Sequence, residues 1–140
     1  MGRRASREIA MKLLYQLEIQ KDERDEQIQT TFDENELTEK DQQFIKDILG
    51  GVETYREQID QTIEKYSRGW KINRISKIDL SILRLSVYEI SYRKDIPFNV
   101  SVNEAVELAK KYSTEDAGAF INGILGNISQ LHVMSSGGSD

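Results

Sequence analysis

The stretch Lys77-Ile78-Asp79-Leu80-Ser81-Ile82-Leu83-Arg84-Leu85-Ser86-Val87-Tyr88-Glu89-Ile90-Ser91-Tyr92 is apolar on nearly every side of a helical projection. A helix apolar all round belongs in the centre of a protein, enclosed by other elements. The β-branched residues also suit a strand, but the run is long for one, and helical spacing dominates on both sides of it.

Towards the N-terminus, Phe44, Ile48, Val52, Tyr55, Ile59, Ile63 and Tyr66 recur at steps of three and four, one stripe of a long helix. Thr38 and Asp41 are spaced as an N-terminal cap. Gly50-Gly51 interrupts the run, and each glycine costs about 1 kcal/mol in a helix, so a kink or a close helix crossing is expected there. Residues 21–36 are acidic, with only Ile28 and Phe32 as anchors, and read as a short helix or a loop. Ile9, Leu13, Leu14 and Leu17 stripe a first helix. Ser67-Arg68-Gly69-Trp70 ends the long helix, Trp70 reads as an anchor between the two halves of the chain, and residues 71–76 read as a helical turn.

Towards the C-terminus, Pro97 marks a loop. Ser101 and Glu104 are spaced as a capping box ahead of Val102, Ala105, Val106, Ala109 and Tyr112. A last helix restarts at residues 113–116, with Ala117, Phe120, Ile121, Ile124, Leu125 and Ile128 inward. The expectation is an all-α fold of about seven helices, one domain over residues 1–130, with a frayed, disordered tail over 131–140.

The 140 residues contain no cysteine and a single histidine, His132. Disulfides, cysteine nucleophiles, cysteine-ligated zinc and histidine-based triads are therefore excluded, and no metal site is expected. There is no phosphate-binding glycine loop and no dinucleotide fingerprint, so neither a cofactor nor an enzyme is expected. No apolar run approaches the length of a membrane span, and the start lacks an export signal, which suits a cytoplasmic protein.

The net charge of −5 conceals a segregation. Residues 1–16 carry a net +3, residues 18–41 a net −7 and residues 71–94 a net +4. Phosphate responds to local potential, not to the sum. Arg3, Arg4 and Arg7 stand at the start of the first helix, where positive charge opposes the helix dipole. They therefore have a task other than helix stability, or form a solvated basic end.

Three segments stand out together: Arg3-Arg4-Ala5-Ser6-Arg7-Glu8-Ile9-Ala10 with Leu14-Tyr15; Asp79 to Leu85 with Tyr88-Glu89-Ile90; and Asn103-Glu104-Ala105-Val106-Glu107-Leu108-Ala109-Lys110 with Phe120-Ile121-Asn122-Gly123-Ile124-Leu125 in register behind it. In these the chain resembles the NusB family over roughly residues 2–129. The resemblance implies two small helical bundles packed together. It also implies binding of boxA RNA jointly with NusE, a ribosomal protein, and loading of the antitermination machinery onto RNA polymerase. Some members of the family self-associate, so a homodimer stays open. A NusB-like domain also precedes some ribosomal RNA methyltransferases, and a purely protein-binding module is a further alternative.

Single-stranded RNA is held by cations on its phosphates and flat side chains under its bases. Arg3, Arg4, Arg7, Lys12 and Lys110 are the candidate cations, and Tyr15 and Phe120 the candidate stacking surfaces; ordinary packing is the alternative for both rings. By resemblance, Asp116 lies beside the RNA surface and Asn122 faces a base edge or caps a helix. By resemblance, Asp79, flanked by Arg74 and Lys77, is the protein-partner position; the residues alone leave solvent, a cap role, a local ion pair or a partner open for an acid in so apolar a helix.

Overall fold

The computed structural model describes the backbone of residues 2–138 and the side chains of residues 2–128. The expected frayed tail over 131–140 lies outside the described side chains. The described residues form seven α-helices and one 3-10 turn: α1 (Arg3–Ile19), α2 (Arg24–Glu34), α3 (Glu39–Thr54), α4 (Arg56–Tyr66), the turn Ile72–Arg74, α5 (Lys77–Tyr92), α6 (Phe98–Tyr112) and α7 (Glu115–Gly138). None of the described helices is long and apolar enough to cross a membrane.

Helix α5 is the centre, as its composition predicts. Every residue from Leu80 to Ile90 is buried. Its start is fixed by Ser76, whose Oγ accepts from the backbone N–H of Asp79 at 3.2 Å. Helices α1 and α3 pack on each other and on one side of α5; α4, α6 and α7 pack on its other sides. The two groups share one continuous core, from Met11 and Leu13 through Ile45, Ile48 and Leu49 to Ile82, Leu83, Ile121 and Leu125.

The long helix expected over residues 38–66 is two helices. Thr38 caps α3 as expected: its side chain accepts from the Asp41 N–H, and the Asp41 carboxylate accepts from the Thr38 N–H. The break falls at Tyr55 (φ −106°, ψ 20°), not at the glycines. Gly51 instead supplies the close crossing. A Cβ there would overlap the Tyr88 ring of α5, whereas one at Gly50 would meet nothing within 4 Å.

The capping box expected at Ser101 and Glu104 does not form. Helix α6 begins one turn earlier, at Phe98, directly after Pro97, where the fixed proline φ suits a helix start. The Ser101 hydroxyl donates instead to Glu89 of α5 at 3.0 Å, and Glu104 turns to α1. Trp70 is not a buried anchor between the halves. It is 50% exposed and meets the edge of Phe120, with ring centroids 6.1 Å apart.

Candidate nucleic-acid interface

Helix α1 starts with no side-chain cap and no acid in its first turn. The cost of placing arginines there is offset by acids from other helices. Arg7 is 2% exposed and donates from Nε to the fully buried Glu89 at 2.7 Å. Burial pushes the Glu89 carboxyl above the usual range, against the pull of Arg7 and the Ser101 hydroxyl. Arg7 is therefore removed from the candidate phosphate ligands: its guanidinium ties α1 to α5 in the interior and does not reach the surface.

Arg4 remains exposed, and its Nε lies 3.1 Å from both oxygens of Glu104 on α6. One turn on, Glu8 accepts from Lys111 at 2.9 Å and from the Tyr112 hydroxyl. Burial pushes the Glu8 carboxyl up, but these bonds outweigh it and hold the group below its ordinary value. Lys12 lies 3.7 Å from Glu8 and 5.2 Å from the Tyr112 ring centroid. The leading end of α1 is thus latched along α6, and the two segments singled out in the sequence share one surface.

Arg3 makes no ion pair among the described residues. Its guanidinium lies 4.2 Å from the centroid of the Phe44 ring, and Arg93 approaches the same ring at 5.5 Å. Arg3, Arg93, Lys40, Ser6, Asp41, Gln43 and Phe44 line a hollow of about 440 Å³. Phe44, Arg93 and Lys40 were not legible as site residues. Phe44 reads as ordinary core in the α3 stripe, and only the packing of α3 against α1 and α5 sets it beneath the arginines.

The remaining candidates fall into two further hollows. Lys110 of α6 and Asn122 of α7 line one hollow of about 410 Å³ together with Asn103, Glu107 and Glu115. Asp116 and Phe120 lie apart from them. They line another hollow of about 410 Å³ together with Trp70, Arg74, Ser76 and Asp79. Asp79 Oδ1 is buried there without a hydrogen-bond partner. Lys77 is exposed at the start of α5, and Tyr15 is half-buried on α1.

The NusB family model matches residues 4–130. The chain belongs to the NusB family. The transcription antitermination protein NusB of Acetivibrio thermocellus is 60% identical over 140 residues, which span all of this chain and 97% of that protein. The solved NusB of T. maritima has a TM-score of 0.86 at 36% identity, covering 93% of this chain and 92% of that one. A NusB solved with NusE and double-stranded RNA has a TM-score of 0.83 at 27% identity, covering 92% and 96% of the two chains.

The geometry sorts the candidates. Arg3 and Arg4 stand exposed at the head of α1, Lys110 and Asn122 lie on the α6–α7 seam, and Asp116 and Phe120 share the hollow of Asp79. Sequence reasoning had assigned those last three to two different partners.

Proposed function

We propose that this chain is a non-enzymatic, cytoplasmic transcription antitermination factor that binds boxA RNA together with NusE and helps load the antitermination complex onto RNA polymerase. The observation that supports this reading best is the head of α1. Arg3 lies without an ion pair over Phe44, at a hollow shared with Lys40 and Arg93, and Arg4 carries the surface across to α6. Arg3, Arg4, Lys12 and Lys110 bind the phosphates of an RNA strand, and Asn122 hydrogen-bonds a base edge. Tyr15 is the proposed stacking ring, and Phe120 belongs to the Asp79 hollow. The Asp79 hollow is the NusE-facing end: a donor on the partner satisfies Asp79 Oδ1, and Arg74, Lys77 and Asp116 set the charge around it.

The test is a titration of boxA RNA, single-stranded and as a duplex, against the full chain with and without NusE across a salt series. For single-stranded RNA the logarithm of affinity falls with that of salt by about 0.7 per phosphate contacted. Arg3→Ala with Arg4→Ala should flatten the slope by roughly 1–1.5 while the protein stays folded. A slope unchanged in the folded variant overturns the proposed surface. Asp79→Ala should weaken the gain from NusE and leave binding of RNA alone intact.

A further inference from the structure

A row of aromatic rings lies beyond the arginine hollow. Tyr55, at the break between α3 and α4, and Tyr92, the last residue of α5, stack nearly parallel, with centroids 4.0 Å apart and planes 11° apart. They are 36% and 38% exposed. Tyr88, one turn earlier on α5, continues the row, 5.7 Å from Tyr92 and tilted by 26°. Gly51 admits the Tyr88 ring to α3, and the Tyr88 hydroxyl donates to Asp47 at 3.0 Å. The row is thus held at its inner end by a close crossing and a hydrogen bond.

This row joins the hollow through touching side chains. Asp47, which accepts from Tyr88, also accepts from Arg93 Nη1 at 2.8 Å. Arg93 in turn lies against Phe44, the ring beneath Arg3. Asp47 and Asp95 are both paired with Arg93. The surface therefore runs from cations to flat rings, the order of groups that holds single-stranded RNA. Rings already stacked lose little freedom when a further planar group joins them.

We propose that the Tyr55–Tyr92 stack is a base-stacking platform that receives single-stranded RNA flanking the segment held at the arginine hollow. The inference rests on the RNA reading given above and extends it to a part of the surface that reading does not use. Because stacking is sequence-tolerant, the platform adds affinity for flanking nucleotides without selecting their identity.

The test compares boxA RNA with the same RNA extended by a single-stranded flank of about six nucleotides on either side. For the native chain, the flanked RNA on the productive side binds roughly ten-fold tighter. The double variant Tyr55→Leu, Tyr92→Leu loses that gain, keeps its affinity for the unflanked RNA and keeps its salt slope. Tyr55→Phe with Tyr92→Phe retains the gain, since the rings remain. As a measurement independent of any variant, 4-thiouridine in the flank crosslinks to Tyr55 or Tyr92 on the native chain.

A flank that adds equal affinity to the native chain and the leucine variant, with no crosslink, overturns the platform and leaves the arginine surface standing. Absence of binding to either RNA overturns both readings. Self-association of the native chain that the leucine variant abolishes, with RNA binding unchanged, assigns the rings to a copy of this chain and also overturns the platform.

Discussion

Arg3 and Arg7 sit four residues apart on one helix, yet one is exposed and the other sealed against Glu89. Their removal should separate cleanly. Arg7→Ala leaves a buried carboxylate uncompensated and should cost about 3–5 kcal/mol in urea unfolding. Arg3→Ala should stay within about 0.5 kcal/mol. Asp95 offers a test of local charge. Its side-chain hydrogen bonds from Arg93 hold it at about 2, below its ordinary 3.8. A depressed carboxylate contributes stability that is present above 3.8 and is lost as pH falls through about 2. Carbon-detected NMR titration should find that midpoint, and Arg93→Ala should return it towards 3.8. At the alkaline end, burial and the bond to Asp47 push the Tyr88 hydroxyl up to about 12. Of six tyrosines, Tyr88 should titrate late in the ultraviolet spectrum, and Tyr88→Phe should remove that late phase.

Helix α3 makes the point at the next scale. Its adjacent glycines are alike in sequence and opposite in setting. Gly50→Ala meets open space and should stabilise the protein by about 0.5–1 kcal/mol through helix propensity alone. Gly51→Ala must displace a Tyr88 ring held by Asp47 and Tyr92. It should destabilise by about 1–3 kcal/mol, an overpacking cost that exceeds the propensity gain. Thermal melts of the two variants decide this, and equal shifts of one sign would refute the assigned crossing. The start of α6 carries a related lesson. Ser101 and Glu104 have cap spacing, but a better start upstream at Pro97 frees them to bond Glu89 and Arg4.

Across the whole molecule, acids from α5 and α6 receive the cations at the head of α1, so the leading end of the first helix is set by helices remote in the chain. The latch has two rungs, Arg4–Glu104 and Glu8 with Lys111 and Tyr112. Exposed ion pairs of this kind add little to stability, up to about 1 kcal/mol each. Glu104→Gln should therefore leave the melting temperature nearly unchanged. It should loosen the head of α1, seen as faster amide exchange over its first turns, and release the Arg4 guanidinium for phosphate.

Periodicity and composition alone determined the helical class, the central place of Lys77–Tyr92, the Thr38 cap and the lack of cysteine chemistry, because each depends on residues near one another in the chain. Resemblance added the family. Whether Arg7 faces water, which ring lies under Arg3, and which hollow Asp116 shares with Asp79 were decided only by tertiary packing. A guanidinium at the head of a helix looks the same in sequence whether solvent or a carboxylate eighty-two residues away receives it. The difference lies in desolvation, which only the assembled neighbours impose.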